Sequence, residues 1–499
     1  VGGLTGLGQP ALAQNLITPD ASLGAEASVV TPFGPLDLIT GGAQRGDNLF
    51  HSFGEFNIDS GYGAAFITPI GDVASIFARV TGLNPSQILG VLGTRQGNLT
   101  TPSTADLFLI NPNGMVFGPG ASLDMAGSFY ATTADSIQFG DEGQFSALDP
   151  TTDNLLTINP SALWFSGLRP PAPITIQGDP AIPIDLRIPI QVAPGAGLSL
   201  IGGPVLIDAK RILAPGGRVD ILALDEGGTI DLGSTGVVVP GNRPRSDITL
   251  RNQAVIDTIA DGGGDITLYG RDLSLDQGST IATGIGLGLG SPSSQGGNIR
   301  IDSTGTVTVA NSSVLGNTLL GLGEGGDIDI KAATIALVNG GLIGAAGIGQ
   351  GKAGDVRLTA TESITLRGRG LTNLPSGITS SMAGNVPGFE NLPPGRGDGG
   401  NIILDASEIS LADGALVFSS NVQSIGNAGN VRVIADRLTL RDGSQLNSTT
   451  FGTGNAGNIV VQAADQIVLT NGSQLTSSTS GSGNGGAIDV YGENRIVLE

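Results

Sequence analysis

Cysteine is absent from the 499 residues, and histidine occurs once, as His51. The first absence removes disulfides, thiolate metal sites and thiol catalysis together. The second leaves no multi-histidine metal site and a single base for any catalytic triad. Lysine is scarce as well, with only Lys210, Lys331 and Lys352. Acidic side chains number 44 against 23 basic ones, a formal charge of −21, so nucleic acid and anionic membrane surfaces are repelled. Aromatic residues make up 4%, which leaves Val, Ile, Leu and Ala to build the core. No apolar run approaches the ~18 residues that a spanning helix needs.

What the chain has instead is glycine. Its 82 copies are more than twice the usual share of ~7%, while the 27 prolines stand at an ordinary level. No three-residue glycine period runs through it, which excludes collagen. A hydrophobic content of 39% is too high for a disordered chain of this charge, so a folded protein dense in turns is expected.

One phrase recurs along the second half: a Gly-rich turn, then Asn or Asp, then apolar-x-apolar. It reads GEGGDIDI at Gly323–Ile330, GKAGDVRL at Gly351–Leu358, GDGGNIIL at Gly397–Leu404, GNAGNVRV at Gly426–Val433 and GNAGNIVV at Gly454–Val461. Weaker copies place the residue before the first apolar position at Arg218, Asp247, Asp265 and Asn298, and a last copy places it at Ala487. Steps of 28 or 29 residues dominate, broken by steps of 18, 33 and 46. Such a period marks a solenoid. Within each unit a second alternating pair follows, such as Leu438/Leu440, and then a turn with a third short strand, such as Asp442-Gly443-Ser444-Gln445-Leu446. Alternation of period two with Asn/Asp-Gly punctuation specifies strands. Three short strands per ~29-residue turn, stacked on copies of themselves, predict a parallel β-helix.

Two stretches leave the rhythm. The 46-residue step carries its excess near 371–396, expected as an inserted loop. Pro160–Pro194 holds eight prolines, with the strand-like pieces Ile174–Ile176 and Ile184–Ile190, and reads as an excursion shaped like a hairpin. Ala11-Leu12-Ala13 before Gln14 fits a signal-peptidase pattern, so residues 1–13 are expected to be a signal-peptide remnant.

The most specific segment is Ala105-Asp-Leu-Phe-Leu-Ile-Asn-Pro-Asn-Gly-Met-Val-Phe-Gly118: a strand, a tight turn and another strand. Asn111, Pro112 and Gly114 occupy positions that suit a type I turn, with Asn113 between them. Together with NLFHSFGEFNI (Asn48–Ile58), VTGLNPSQILG (Val80–Gly90) and LSLIGGPVLID (Leu198–Asp208), this segment resembles the N-terminal secretion domain of two-partner secretion exoproteins, the filamentous haemagglutinin type in its cyanobacterial branch. The resemblance covers about residues 15–225. It implies a right-handed parallel β-helix with an N-terminal cap and extra-helical strands. It also implies recognition in the periplasm by the soluble domains of a dedicated outer-membrane β-barrel transporter, followed by release to the cell surface. The family's two turn motifs fall on Asn84-Pro85-Ser86-Gln87 and Asn111-Pro112-Asn113-Gly114. The first departs from the family pattern at Ser86-Gln87, and the second carries Met115 where Ile is common.

The expected organisation is therefore a secretion domain at 14–225 and a rod of ~29-residue coils at 226–499. Asn84, Pro85, Asn111, Pro112, Asn113 and Gly114 are the candidate transporter-recognition or structural-turn residues. A surface glycan or matrix ligand and end-to-end self-association are the further partners, and no cofactor, metal or nucleic acid is expected. Because the last strand stops inside a coil at Leu498-Glu499, continuation, a cap or stacking is expected there.

Parallel β-helices also carry polysaccharide-cleaving enzymes, which need clustered carboxylates. The candidates are Asp327 with Asp329, Asp261 with Asp265, and Asp141-Glu142. Asn298, Asn401, Asn430 and Asn458 stand where Asp327 does in other repeats, which assigns the position to turn chemistry. A non-enzymatic adhesin or structural rod is the expected function. An extracellular polysaccharide enzyme and a self-assembling surface layer are the alternatives.

Overall fold

The computed structural model describes residues 14–69, 73–141, 143–151, 157–233, 236–239, 241, 243–384 and 395–499. The expected signal-peptide remnant and Glu142 lie outside them. Among the described residues there is no α-helix, and the strands stack in long parallel ladders. The architecture is a parallel β-helix with three strand-bearing faces.

The alternating apolar residues explain the stacking. One inward position of the first face passes from Leu49 through Ile76, Leu107, Phe129, Leu198 and Val219 to Ile266. It continues through Ile299, Ile328, Val356, Ile402, Val431 and Ile459 to Ile488. At ~4.8 Å per rung these thirteen steps make a rod of about 60 Å. Every member up to Ile459 is buried, and the side chains of successive coils merge into one aliphatic core. A second inward ladder begins at Ile88–Phe117–Ile176–Ile207–Leu250 and ends at Leu469–Leu498. The third face is the ten-stranded sheet that ends at Gln445–Thr450 and Gln474–Thr479.

Hydrogen bonds between coils explain the Asn and Asp of the repeat. The Oδ1 atom of Asp355 accepts from the Asn401 amide at 2.9 Å, Asn401 from Asn430 at 3.0 Å, and Asn430 from Asn458 at 2.8 Å. Each side-chain oxygen thus satisfies a turn N–H on the next coil. Inside the rod, serine performs the same service twice. Ser448 Oγ donates to the Gly429 carbonyl and accepts from the Gly457 amide, both at 2.8 Å.

The register corrects three expectations. Ile248 pairs with Val205 and Leu273 and so belongs to the second face, not to the repeat anchor expected at Asp247. Val219 pairs directly with Ile266, and the intervening length holds two extra strands, Gly228–Gly233 and Gly236–Val238. The Pro160–Pro194 stretch is not a hairpin, because Ile174–Gln177 is a rung of the second face and Ile190–Gln191 a rung of the third. Within 371–396, Gly377–Ala383 is likewise a rung of the third face, and 385–394 lie outside the described residues. From Ile328 to Leu469 the first two strands of each coil also fuse into one strand, such as Val356–Arg367, and they separate again in the last coil.

Two segments, one between Phe129–Thr132 and Ile174–Gln177 and one between Val219–Ala223 and Ile248–Arg251, leave the rod between its first and second faces, and they meet. Ser136–Phe139, Gly143–Ser146 and Ala162–Phe165 pair antiparallel, and Ala162–Phe165 pairs in turn with Gly228–Gly233. This extra-helical sheet packs Phe139 and Phe145 over Phe50 and Phe77 on the rod. At the front end, Leu16–Pro19 and Ala43–Arg45 pair antiparallel with Asn48–Asn57 and cover the edge of the first coil.

Candidate recognition site

The two Asn-Pro turns occupy the same corner, between first and second faces, on adjacent coils. Asp106–Ile110 enters the upper turn and Met115–Phe117 leaves it. The turn closes as its sequence requires, with the Gly114 amide donating to the Asn111 carbonyl at 3.0 Å. Gly114 adopts φ +107°, and a Cβ there would meet the Pro173 carbonyl at 3.0 Å. Above, Met115 N donates to the same Pro173 carbonyl at 3.2 Å, so the excursion roofs the turn.

Asn111 is fully buried and its amide is fully used. Its Nδ2 donates downward to the Asn84 carbonyl at 3.0 Å and to Ser86 Oγ at 2.9 Å. Its Oδ1 accepts from the Asn113 amide at 2.9 Å, forming the expected Asx turn. Pro112 and Gly114 are buried as well. Asn113 is half-buried; its Nδ2 donates to the Gly82 carbonyl at 2.7 Å, and its Oδ1 accepts from Arg169 Nη1 at 2.9 Å.

The lower turn behaves differently. Gln87 N donates to Asn57 Oδ1 at 2.8 Å, so this corner is held by the coil beneath it. Asn84 and Pro85 are exposed, with Asn84 Nδ2 on Glu55 Oε1 at 2.5 Å. Leu83 beside them is 89% exposed, and Leu168, next to Arg169 above, is 82% exposed. The two motifs are thus one joined structure. Asn111, Pro112 and Gly114 form its frame, while Leu83, Asn84, Pro85, Asn113, Leu168 and Arg169 form its surface. Sequence reasoning missed Leu168 and Arg169, because nothing in the chain signals that the 160–173 segment returns to this corner, and it passed over Leu83, whose place directly before Asn84 was the available signal.

The carboxylate candidates are separated by their contacts. Asp327 Oδ1 accepts from the Asp355 amide at 2.8 Å, and Asp265 Oδ1 from the Asn298 amide at 2.8 Å; both are members of the turn ladder. Asp261 Oδ1 accepts from the next residue's amide at 3.0 Å. Asp329 lies on the outer side of the first face, between Arg300 and Arg357 of neighbouring coils. His51 is buried beside Phe53 and Phe66, with Nδ1 3.0 Å from Ser28 Oγ, and burial pushes its imidazole down to about 3.

The model of the TPS secretion domain matches residues 15–268, and the chain belongs to that family. In structure it is similar to the HMW1 secretion domain from Haemophilus influenzae, with a TM-score of 0.59 and 18% identity over 93% of this chain and 100% of that one. No curated protein sequence matches. Family membership makes the protein a secreted exoprotein exported across the outer membrane by a partner transporter.

Proposed function

We propose that this exoprotein acts at the cell surface as a non-enzymatic adhesin or structural rod. In this reading, residues 14–225 are held briefly in the periplasm, where the transporter's soluble domains bind them, and 226–499 form the working rod. The observation that carries it is the division of the double Asn-Pro corner into a buried frame and an exposed face. The frame makes the corner rigid, and Leu83, Asn84, Pro85, Leu168 and Arg169 offer two leucines and polar groups on that rigid base, the composition of a protein contact. The charge and the turn-ladder role of Asp327 and Asp265 support a passive rod, whose partner would be a surface glycan or matrix component. A β-helix grows by adding coils to an existing edge, so folding outside the cell would draw the chain outward, and a chain without disulfides threads freely.

The test is export with and without the cognate transporter. A Leu83→Ala/Asn84→Ala variant should fold normally and leave the cell at least tenfold less efficiently. Undiminished export of a normally folded variant would reject this face as the contact.

A further inference from the structure

The third face of the rod carries no charge over seven consecutive strands. From Thr280–Ile285 to Gln474–Thr479, none of them holds an Asp, Glu, Lys or Arg. Every first-face strand from Ile299–Ser303 to Ile488–Gly492 holds at least one. Charges resume at the border, where Asp276, Arg369, Asp413, Arg441 and Asp442 stand on the corner that leads into the third face. Depletion of charge from the centre, with charge kept at the rim, is the composition of a protein interface.

The inward residues of these strands, such as Leu315, Ile343, Ile378 and Val417, are buried, so the alternate positions form the outer surface. One outer column changes in size at Thr379. Ala282, Gly316 and Gly344 lie on the coils before it, and Phe418, Asn447 and Thr476 on the coils after it. In the next column Val314 and Leu342 precede Gly377, and Leu416 follows. Gly316, Val314, Leu342, Thr379, Leu416 and Phe418 are all half-buried, each with its outer side open. Where the chain leaves these strands, Leu320, Ile348, Ala383, Val422 and Phe451 form an apolar edge, with Val422 36% and Phe451 53% exposed. A Cβ at Gly316 would meet nothing nearer than 3.6 Å, and its φ is not positive, so the coil's own packing does not require glycine there.

We propose that two copies of this chain pair side by side through this face, antiparallel, about a two-fold axis lying along the Gly377–Ala383 strand. A two-fold contact sets one patch against itself. Two chains of −21 repel wherever their charges meet, and the uncharged face is where they approach closely. The axis reverses the order of coils and keeps each column. Leu416 then lies against the partner's Leu342, Val422 against the partner's Ile348, and Phe451 against the partner's Leu320. Phe418 comes down on the small half of its own column, where the Thr379 methyl leans over Gly344 and Gly316 leaves space. Seven strands at ~4.8 Å and seven residues at ~3.3 Å give a footprint of roughly 780 Å² on each copy, close to the ~800 Å² per partner of a stable complex. A basic protein would be drawn to the charged faces instead, and a sugar chain would find the rings of Phe418 and Phe451 on separate columns. The pairing is distinct from end-to-end stacking and independent of transporter recognition.

The experiment is sedimentation equilibrium of the purified full chain up to about 100 μM, at about 20 and about 300 mM salt. A monomer–dimer equilibrium is expected, and salt should tighten it, because screening relieves the repulsion between two acidic rods. Gly316→Arg puts a charge into open space on the face. It should weaken the dimer at least tenfold and leave the unfolding midpoint of the dilute monomer unchanged. Arg300→Gln, on the first face, should stay within threefold of wild type. Because the chain has no cysteine, Thr379→Cys supplies one thiol per copy beside the axis, about 10 Å from its counterpart, and a bis-maleimide of that span should link the copies. A chain that stays monomeric throughout this range would overturn the proposal. So would a dimer that Gly316→Arg leaves intact, a dimer that salt weakens, or one without the Thr379→Cys link, as end-to-end stacking would give. A monomer that binds a neutral oligosaccharide and loses it in Gly316→Arg would assign the face to a glycan and overturn the pairing equally.

Discussion

The side-chain amide of Asn111 donates to the main-chain carbonyl of Asn84 at 3.0 Å, so the sharper of the two Asn-Pro motifs is anchored on the weaker one. This contact separates two roles that the sequence leaves merged. Asn111→Ala would strip partners from the Asn84 carbonyl, Ser86 Oγ and the Asn113 amide in a buried corner. The expected loss is about 2–4 kcal/mol, read from urea unfolding. Asn84→Ala removes only a surface contact to Glu55 and should change stability by less than about 1 kcal/mol. Equal destabilisation by the two would contradict the division into frame and face. An export defect in Asn111→Ala alone would therefore report folding, whereas one in Asn84→Ala would report contact.

Two glycines of one coil separate close packing from backbone conformation. Gly454 has φ +150°, and a Cβ there would collide with the Gly426 carbonyl oxygen of the neighbouring coil. Gly443 has φ +74° with nothing within 4 Å of a Cβ. Gly443→Ala should therefore destabilise by only about 1 kcal/mol, the left-handed penalty alone. Gly454→Ala must also push two coils apart and should lower stability by about 3 kcal/mol or more. Calorimetry of both variants checks the ordering.

The repeating coils were legible because their signal is local. Asn401, Asn430 and Asn458 each bond the following coil, so the same residue is required every 28 or 29 positions, and the period shows in the chain. Asp247 misled for the same reason. Asp-Ile-Thr-Leu has the right local grammar, but Ile248 pairs with Val205 and Leu273, and only register assigns it to the second face. Extra-helical strands were implied only by the family resemblance, and their place was illegible because the halves of that sheet, Ala162–Phe165 and Gly228–Gly233, lie far apart in sequence and carry no shared motif. At the recognition corner the turn residues could be named, yet their burial depended on Pro173 and Arg169, which reach the corner from the excursion.

The turn ladder tolerates oxygen acceptors, not their absence. Asp327 and Asp355 already stand where Asn430 does, so Asn430→Asp should be within about 0.5 kcal/mol of wild type. Asn430→Leu leaves the Asn458 amide with water as its only partner and should destabilise by about 1 kcal/mol. Hydrogen exchange at the Asn458 amide should accelerate in the leucine variant alone.

Lys210 ties together coils that are not neighbours. Its buried Nζ donates to the carbonyls of Gly118, Pro119 and Ala121 at 3.1, 2.8 and 3.0 Å, holding the turn that follows the Met115–Phe117 strand. Desolvation draws the ammonium down to about 8, and the three carbonyls are what it has in place of water. Lys210→Met would fill the stem volume and orphan those oxygens. A loss of about 2–3 kcal/mol is expected, with faster exchange or proteolysis near 118–121. An unchanged unfolding midpoint would mean that the three contacts contribute nothing net.

His51 should make stability depend on pH in a defined window. In the fold its imidazole is held neutral among Phe53 and Phe66, with a pKa of about 3, because burial opposes the charge. In the unfolded chain it would titrate near 6.5. Between those values the unfolded state binds the extra proton, so acidification favours unfolding. The contribution is fully present above about pH 6.5, is lost as pH falls toward 3, and changes no further below that. From pH 6.5 to pH 4 the loss from this one group is on the order of 3 kcal/mol. His51→Gln, which has no titrating ring, should show a shallower fall in urea midpoint over that interval, whatever its stability at pH 7. Parallel pH profiles for wild type and variant would mean that His51 is hydrated or protonated in the fold, and that the first coil is more open than its aromatic wall indicates.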